Sequence, residues 1–341
     1  MTTGLLLGKF APLHRGHQLL METALAENEQ VLAMIYHAPD VTDVPLPVRA
    51  GWIRDIYPRV EVIEAWDGPL EVGDAPELQR RHEEYILSRL AGRRVDRFYS
   101  SEFYGAHVSR ALQAEDRRVD EARQQVPISA TAIRADPYNN RHFLEPRVYR
   151  DLVSRVVLLG APSTGKTTLA EALARHHATC WMPEYGREYW ARHQQDRRLS
   201  PQQLLEIAEG HRRREDVLMT QANRFLFVDT DASTTRHFAR YYHGWVDPRL
   251  EALAEETARR YDLFLLCEDD IPYDDSWDRS GEGNRRIMQA QIRAELTQRR
   301  MPYFALKGSL AERLQQVEGI LRRFRKYPPL AESLAVQNDR R

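Results

Sequence analysis

Leu5-Leu6-Leu7 is a short unbroken apolar run almost at the first residue, and Val31 to Tyr36 is a second. Continuous apolar runs of this length predict strands buried on both faces. Between them, Gln18 to Ala26 reads as a helix. The alternation goes on: Pro45 to Tyr57 predicts a helix, Val60 to Trp66 a strand, Pro76 to Leu90 a long amphipathic helix, and Val95 to Ser100 a fourth strand. Pro146 to Leu152 looks like a join, after which the pattern restarts. Val153 to Gly160 predicts a strand, Lys166 to about His177 a helix, Cys180 to Glu184 a short strand, and Pro201 to Ala222 a long polar helix. Arg224 to Val228 and Asp262 to Cys267 are further apolar strands, Leu310 to Phe324 is a last amphipathic helix, and the tail from Tyr327 is polar. Strands alternating with helices predict an α/β fold with parallel sheets flanked by helices. The expected division is two domains, 1–152 and 153–326, with a polar tail at 327–341.

Composition narrows the class. A length of 341 residues fits two domains better than one. Lys+Arg is 49 against Asp+Glu 50, so net charge points to neither a nucleic acid nor a membrane surface. The two cysteines, Cys180 and Cys267, are far apart and lack metal-ligand spacing. That usage suits a reducing compartment and excludes a disulfide framework. No apolar run approaches the ~18–20 residues that span a bilayer, and the first residues lack the basic lead of an export signal. A cytoplasmic enzyme is expected, without nucleic-acid or membrane partners; a homo-oligomer stays open.

The chemistry starts at Gly160-Ala-Pro-Ser163-Thr164-Gly165-Lys166-Thr167-Thr168, which joins a predicted strand to a predicted helix. G-x-x-x-x-G-K-T in that context is a phosphate-binding loop. Its glycines let backbone N–H groups approach a phosphate at a helix N-terminus. Lys166 adds charge at the β- and γ-phosphates, and the Thr167 hydroxyl is a Mg²⁺ ligand. The site is therefore expected to take a nucleoside triphosphate, with Mg²⁺ as the implied cofactor.

A second anion site lies in the first half. Gly8-Lys9-Phe10-x-Pro-x-His14-x-Gly16-His17 follows the first strand and opens the first helix. Two imidazoles flanking a glycine there can hold a phosphate; turn histidines are the plain alternative, and a metal lacks a third ligand nearby. The phrase resembles the signature of the nucleotidyltransferase superfamily that includes nicotinamide mononucleotide adenylyltransferases. Ile128-Ser129-Ala-Thr131-Ala-Ile-Arg134 resembles that superfamily's I-S-x-T-x-I-R motif. Ser129 and Thr131 supply hydroxyls and Arg134 a fixed cation, making the second half of a triphosphate clamp. Ser100-Ser101-Glu102 falls on the same rim.

The order of these sites resembles the bifunctional NadR family over roughly residues 4 to 325. The match continues through Tyr99-Ser-Ser-Glu-Phe-Tyr-Gly105, Glu184-Tyr185-Gly-Arg187-Glu188 and Asp229-Thr-Asp231. The resemblance implies a Rossmann-like nucleotidyltransferase followed by a P-loop kinase. It implies ribosylnicotinamide kinase and nicotinamide mononucleotide adenylyltransferase activities. The implied small molecules are ATP, nicotinamide riboside, nicotinamide mononucleotide and NAD. Longer members carry an N-terminal helix-turn-helix; this chain starts at the first strand, so DNA binding is not carried over. By resemblance, Glu184 is a candidate base, Arg187 a charge stabiliser, Asp229 a metal ligand and Asp231 a ribose contact. Arg279 and Arg285 fall where such kinases have a mobile lid. Tyr185 and Trp277, with Trp181, are candidates to stack on a pyridinium ring, and Arg49 and Trp52 to line the acceptor pocket of the first domain. A nucleotide-binding regulator with weak catalysis and an adenylyltransferase for another acceptor are the alternatives.

Overall fold

The computed structural model describes residues 2–71, 73, 75–101, 105–194, 198–273 and 282–328. Its first strands and helices are β1 (Thr3–Gly8), α1 (Arg15–Glu27), β2 (Gln30–Tyr36), α2 (Leu46–Ile56), β3 (Val60–Ala65), α3 (Pro76–Leu90), β4 (Arg97–Ser100), α4 (Gly105–Leu112), β5 (Glu115–Arg118), α5 (Ala130–Ala135) and α6 (Pro146–Leu152). There follow β6 (Ser154–Leu159), α7 (Lys166–His176), β7 (Trp181–Met182), α8 (Tyr185–His193), α9 (Pro201–Leu218), β8 (Phe225–Asp229), α10 (Ala232–His243), α11 (Pro248–Arg260), β9 (Leu263–Cys267), α12 (Glu282–Gln298), β10 (Phe304–Leu306) and α13 (Leu310–Leu321). Contacts divide the chain into two compact units, and the division at Tyr149 and Arg150 falls inside α6.

Unit 1 is a five-stranded sheet in the order β3-β2-β1-β4-β5, parallel throughout. The apolar runs of β1 and β2 occupy its centre, and Leu5, Leu32, Met34 and Phe98 pack with Ile86 and Leu90 of α3. After β1 the chain builds β2 and β3 on one side and β4 and β5 on the other. Ligands of open parallel sheets bind at such a switch, beyond the strands' carboxyl ends. The β1–α1 turn opens there.

Unit 2 repeats the plan in the order β10-β9-β6-β8-β7, again all parallel. Val156, Leu158, Phe227 and Leu265 of the sheet pack against Leu169 and Leu173 of α7 and Val317 and Leu321 of α13. A second apolar cluster joins α9, α10 and α11 through Leu204, Leu205, Ala208, Ala239, Leu250 and Ala254. The register sets Leu158 beside Asp229, so β6 delivers the phosphate-binding loop and β8 delivers a carboxylate at the same level.

Candidate functional site

In unit 1, the turn after β1 seats both histidines. His14 is the N-cap of α1: its Nδ1 accepts from Gly16 N–H at 3.1 Å, while His14 N–H donates to Nδ1 of His17 at 3.4 Å. Their rings lie 3.8 Å apart, and the Phe10 ring meets His17 edge-on at 5.0 Å. Burial drives the His14 pKa down to about 4, with Arg123 and Arg134 pushing the same way. His17 falls well below its ordinary value through burial and the neighbouring His14, against an opposing hydrogen bond to the Pro12 backbone. Both rings are thus neutral at pH 7. With Nδ1 accepting from Gly16, His14 presents its proton on Nε2.

Ser129 caps α5, its Oγ accepting from Ala132 N–H at 3.1 Å. Arg134 donates to Ala11 O at 2.7 Å and to Thr131 Oγ1 at 3.0 Å, tying this helix to the β1–α1 turn. His14, Gly16, His17, Ser101, Ser129 and Thr131 line one cleft of about 130 Å³, together with Arg123. Asp120 also lines it, but its two oxygens accept from the N–H groups of Gln124, Gln125 and Val126 and shape the loop that carries Arg123. The result is a small cationic cleft with neutral N–H donors.

Unit 2 holds the phosphate-binding loop. Gly160 takes φ 143°, and a Cβ there would meet Cys267 O at 2.6 Å and Thr164 Oγ1 at 2.7 Å, so only glycine fits. Lys166 Nζ and Thr164 Oγ1 both donate to Ala161 O at 2.9 Å. The Ala161 N–H donates to Gln289 Oε1 at 2.9 Å. Arg313, only 2% exposed, donates to Thr164 O at 2.5 Å, Glu268 O at 3.1 Å, Gly308 O at 2.9 Å and the Asp270 carboxylate at 2.5 Å. These contacts brace the loop from behind.

Across the loop stand the carboxylates. Thr167 Oγ1 donates to Asp229 Oδ2, while Asp229 Oδ1 is buried with no hydrogen-bond partner. Burial raises the Asp229 pKa above the ordinary carboxylate value and nearby Glu184 adds to the rise, against Lys166 and the Thr167 hydroxyl. Glu184 opens α8 without capping it, and Arg187 lies 3.7 Å from its carboxylate. Asp231 caps α10, its Oδ1 accepting from Ser233 Oγ at 2.6 Å and Thr234 N–H at 3.2 Å. Gly160, Ser163, Gly165, Lys166, Thr167, Thr168, Glu184, Arg187 and Asp231 line one cavity of about 400 Å³. His211, Trp190, Phe238 and Tyr242 line the same cavity. The Tyr242 ring is stacked between those of Trp190 and Phe238, 6.2 and 6.1 Å away.

Known proteins resemble this chain in sequence and in fold. The family model for an AAA domain matches residues 155–313. The trifunctional NAD biosynthesis/regulator protein NadR of Escherichia coli is 30% identical over 295 residues, which are 80% of this chain and 70% of the relative. The chain belongs to the NadR family. Its Salmonella typhimurium member is 29% identical over 296 residues, 79% of this chain and 70% of the relative. Two solved NadR structures share the fold. One, in complex with NR, is 24% identical with a TM-score of 0.55, over 94% of this chain and 95% of that one. The other, in complex with NAD and AMP-PNP, is 22% identical with a TM-score of 0.54, over 94% and 95%. Among the described residues, no helix is long and apolar enough to cross a membrane.

Several sequence expectations change in this NadR-family chain. Arg49 is 1% exposed and Trp52 fully buried, so both side chains are packed inside unit 1. Arg49 instead donates to the carbonyls of Val44 and Tyr36 at 3.0 and 3.1 Å, and to that of Lys9; burial lowers its pKa to about 10. Gly8, Lys9 and Phe10 lie outside the cleft lining: Lys9 pairs with Asp40 at 3.6 Å, and Phe10 is buried. Tyr185 turns from the cavity toward α9. Arg214 covers its ring at 3.9 Å, and a Cβ at Gly210 would lie 2.4 Å from it. Trp181 packs on the core of the sheet. Arg285 is buried rather than presented on a solvated loop, donating to Ser163 O at 3.2 Å and Ile271 O at 2.9 Å. Glu102, Trp277 and Arg279 lie outside the described residues.

Other residues escaped the sequence reading. Arg123, Gln289 and Arg313 carry no motif. Phe238 and Tyr242 had a usable signal: spaced four apart, they share one face of a helix.

Proposed function

We propose that this NadR-family chain makes NAD in two steps. Unit 2 phosphorylates the 5′-hydroxyl of nicotinamide riboside with ATP, and unit 1 transfers the adenylyl group of a second ATP to the resulting mononucleotide, releasing pyrophosphate. The observation that carries the reading is the contrast in donor sets. The unit 2 cavity is lined by Glu184 and Asp231 together with the phosphate-binding loop, and buried Asp229 accepts from the loop's Thr167. In the unit 1 cleft, the lining carboxylate Asp120 is engaged by backbone N–H groups.

A sugar hydroxyl is a weak nucleophile, and a carboxylate that orients it and takes its proton speeds phosphoryl transfer. Glu184 fills that role here, and Arg187 faces the phosphate being transferred. Lys166 and the loop amides hold the β- and γ-phosphates. Thr167 and Asp229 would hold Mg²⁺: the unpartnered Asp229 Oδ1, beside the Thr167 hydroxyl, suits a hard cation that prefers oxygen. An ion held there would neutralise phosphate charge. The aromatic wall of Trp190, Phe238 and Tyr242 offers π faces to a cationic pyridinium.

In unit 1 the incoming phosphate is already ionised, so no general base is needed. His14 donates through Nε2 to the triphosphate with His17 beside it, and Arg134 and Arg123 stabilise charge at the α-phosphorus. Incubating the protein with nicotinamide riboside, ATP and Mg²⁺ and resolving the products by mass tests the reading. Mononucleotide, NAD and pyrophosphate are expected; ATP consumed without a phosphorylated riboside contradicts it.

A further inference from the structure

α7 ends in two adjacent histidines that the chemistry of unit 2 leaves unused. His176 is its last residue and His177 its C-cap. Both turn toward Glu318 of α13: His177 Nε2 lies 2.7 Å from Glu318 Oε1, and His176 Nε2 lies 3.6 Å from the same oxygen. The three ligand atoms all fall within 4.8 Å of one another. Successive residues of a helix diverge by about 100° around its axis, so the helix alone does not bring both rings to one oxygen. One imidazole is enough to satisfy a carboxylate oxygen; the arrival of the second calls for a shared partner. The site is also held in place. The His177 ring meets those of Phe225 and Phe227 in β8 at 5.4 and 5.5 Å. Glu318 follows Val317, which packs into the core beneath α13. The His176 side chain, 62% exposed, leaves one side open to water.

We infer that His176, His177 and Glu318 form a zinc site that staples the end of α7 to α13. Zinc bonds to imidazole nitrogen and carboxylate oxygen are about 2.0–2.2 Å long, which sets tetrahedral ligand atoms about 3.4 Å apart. The separations of 2.7 and 3.6 Å straddle that value. Two imidazoles and one carboxylate suit zinc, whereas Mg²⁺ and Ca²⁺ take oxygen. The ion replaces the hydrogen held between His177 Nε2 and Glu318 Oε1, and both imidazoles bind it in their neutral form. Water fills the fourth position on the open side. The role is mechanical. α7 starts at Lys166, so the ion sits about 15 Å of helix away from the phosphate-binding loop. α13 carries Arg313, which braces Thr164 of that loop. A staple across the two helices stiffens unit 2 behind the loop without touching ATP or its acceptor.

Zinc titrated into the metal-free full chain should bind at one ion per chain. In scanning calorimetry it should raise the unfolding transition of unit 2 and leave that of unit 1 in place; a chelator should reverse the shift. His176→Ala lies on the exposed side and Glu318→Gln keeps the side-chain size, so both variants should fold. Each should weaken zinc binding by at least ~10-fold, the cost of losing even an outer partner of a metal site, and cancel most of the shift. His177→Gln should do the same. His14→Ala and Asp229→Asn, which alter the two phosphate sites, should keep the bound zinc. A wild type that takes up no zinc overturns the site. So does wild-type affinity in His176→Ala and Glu318→Gln, or zinc lost in His14→Ala or Asp229→Asn, because the ion then sits elsewhere.

Discussion

The two phosphate sites use the same architectural position and opposite chemistry. Each lies where a central parallel strand feeds a helix, with later strands on both sides of it. In unit 1 the turn is fitted with neutral imidazoles and arginines. In unit 2 it is fitted with a lysine, a hydroxyl and buried carboxylates. Under the proposed reactions, the difference follows from the nucleophile. A phosphate arrives already charged and needs its approach to an anionic triphosphate screened. A hydroxyl arrives neutral and needs a proton acceptor and a metal. The same fold position serves both because the strand and helix supply only the backbone donors, and the side chains on the neighbouring loops supply the rest.

The sharpest way to break this comparison is Glu184→Gln, which keeps size but removes basicity. Turnover of nicotinamide riboside should fall ~10²–10⁴-fold while ATP binding hardly changes in a titration. Near-normal turnover moves the role to Asp231. Next, His14→Ala or His17→Ala should lower adenylyl transfer by ~10²–10³-fold and leave riboside phosphorylation intact. Elemental analysis finding stoichiometric zinc in the wild type and none in the variant overturns the phosphate role.

A smaller effect is expected behind the loop in unit 2. Arg313→Met removes a buried guanidinium that serves three carbonyls and Asp270. It should destabilise unit 2 by about 3 kcal/mol, read as an earlier calorimetric transition with that of unit 1 unmoved. The smallest effect concerns acid. The folded His14 pKa of about 4 lies below the ordinary histidine value of 6.5. The unfolded chain therefore binds the extra proton first, and stability present above pH 6.5 is lost as pH falls toward 4. Between pH 7 and 5 this amounts to about 2 kcal/mol. His14→Asn should flatten the pH dependence of unit 1 unfolding by that amount, and an unchanged slope contradicts the buried neutral ring.

The apolar runs made both sheets legible, because strands buried on two faces are written as unbroken Val, Leu and Phe. Pro76–Leu90 is a helix to the residue. The edge strand β5 escaped notice because Glu-Asp-Arg-Arg carries no apolar signal; it pairs only with β4 and remains partly exposed. The motif residues of the phosphate-binding loop and the histidine turn were legible because backbone geometry dictates their spacing. Arg123, His211 and Arg313 were not, because they reach their sites through packing between elements distant in sequence. Arg49 and Trp52 misled for the converse reason: a helix next to a ligand-binding edge can bury its polar side, and Arg49 is used to clamp carbonyls.

The central claim is that two independent sites of different chemistry act in sequence, and Lys166→Ala tests it most directly. Lys166 belongs to the loop of unit 2 alone. The folded variant should fail to phosphorylate nicotinamide riboside yet convert supplied mononucleotide and ATP to NAD and pyrophosphate at the wild-type rate. Loss of both conversions in a folded Lys166→Ala protein contradicts the account.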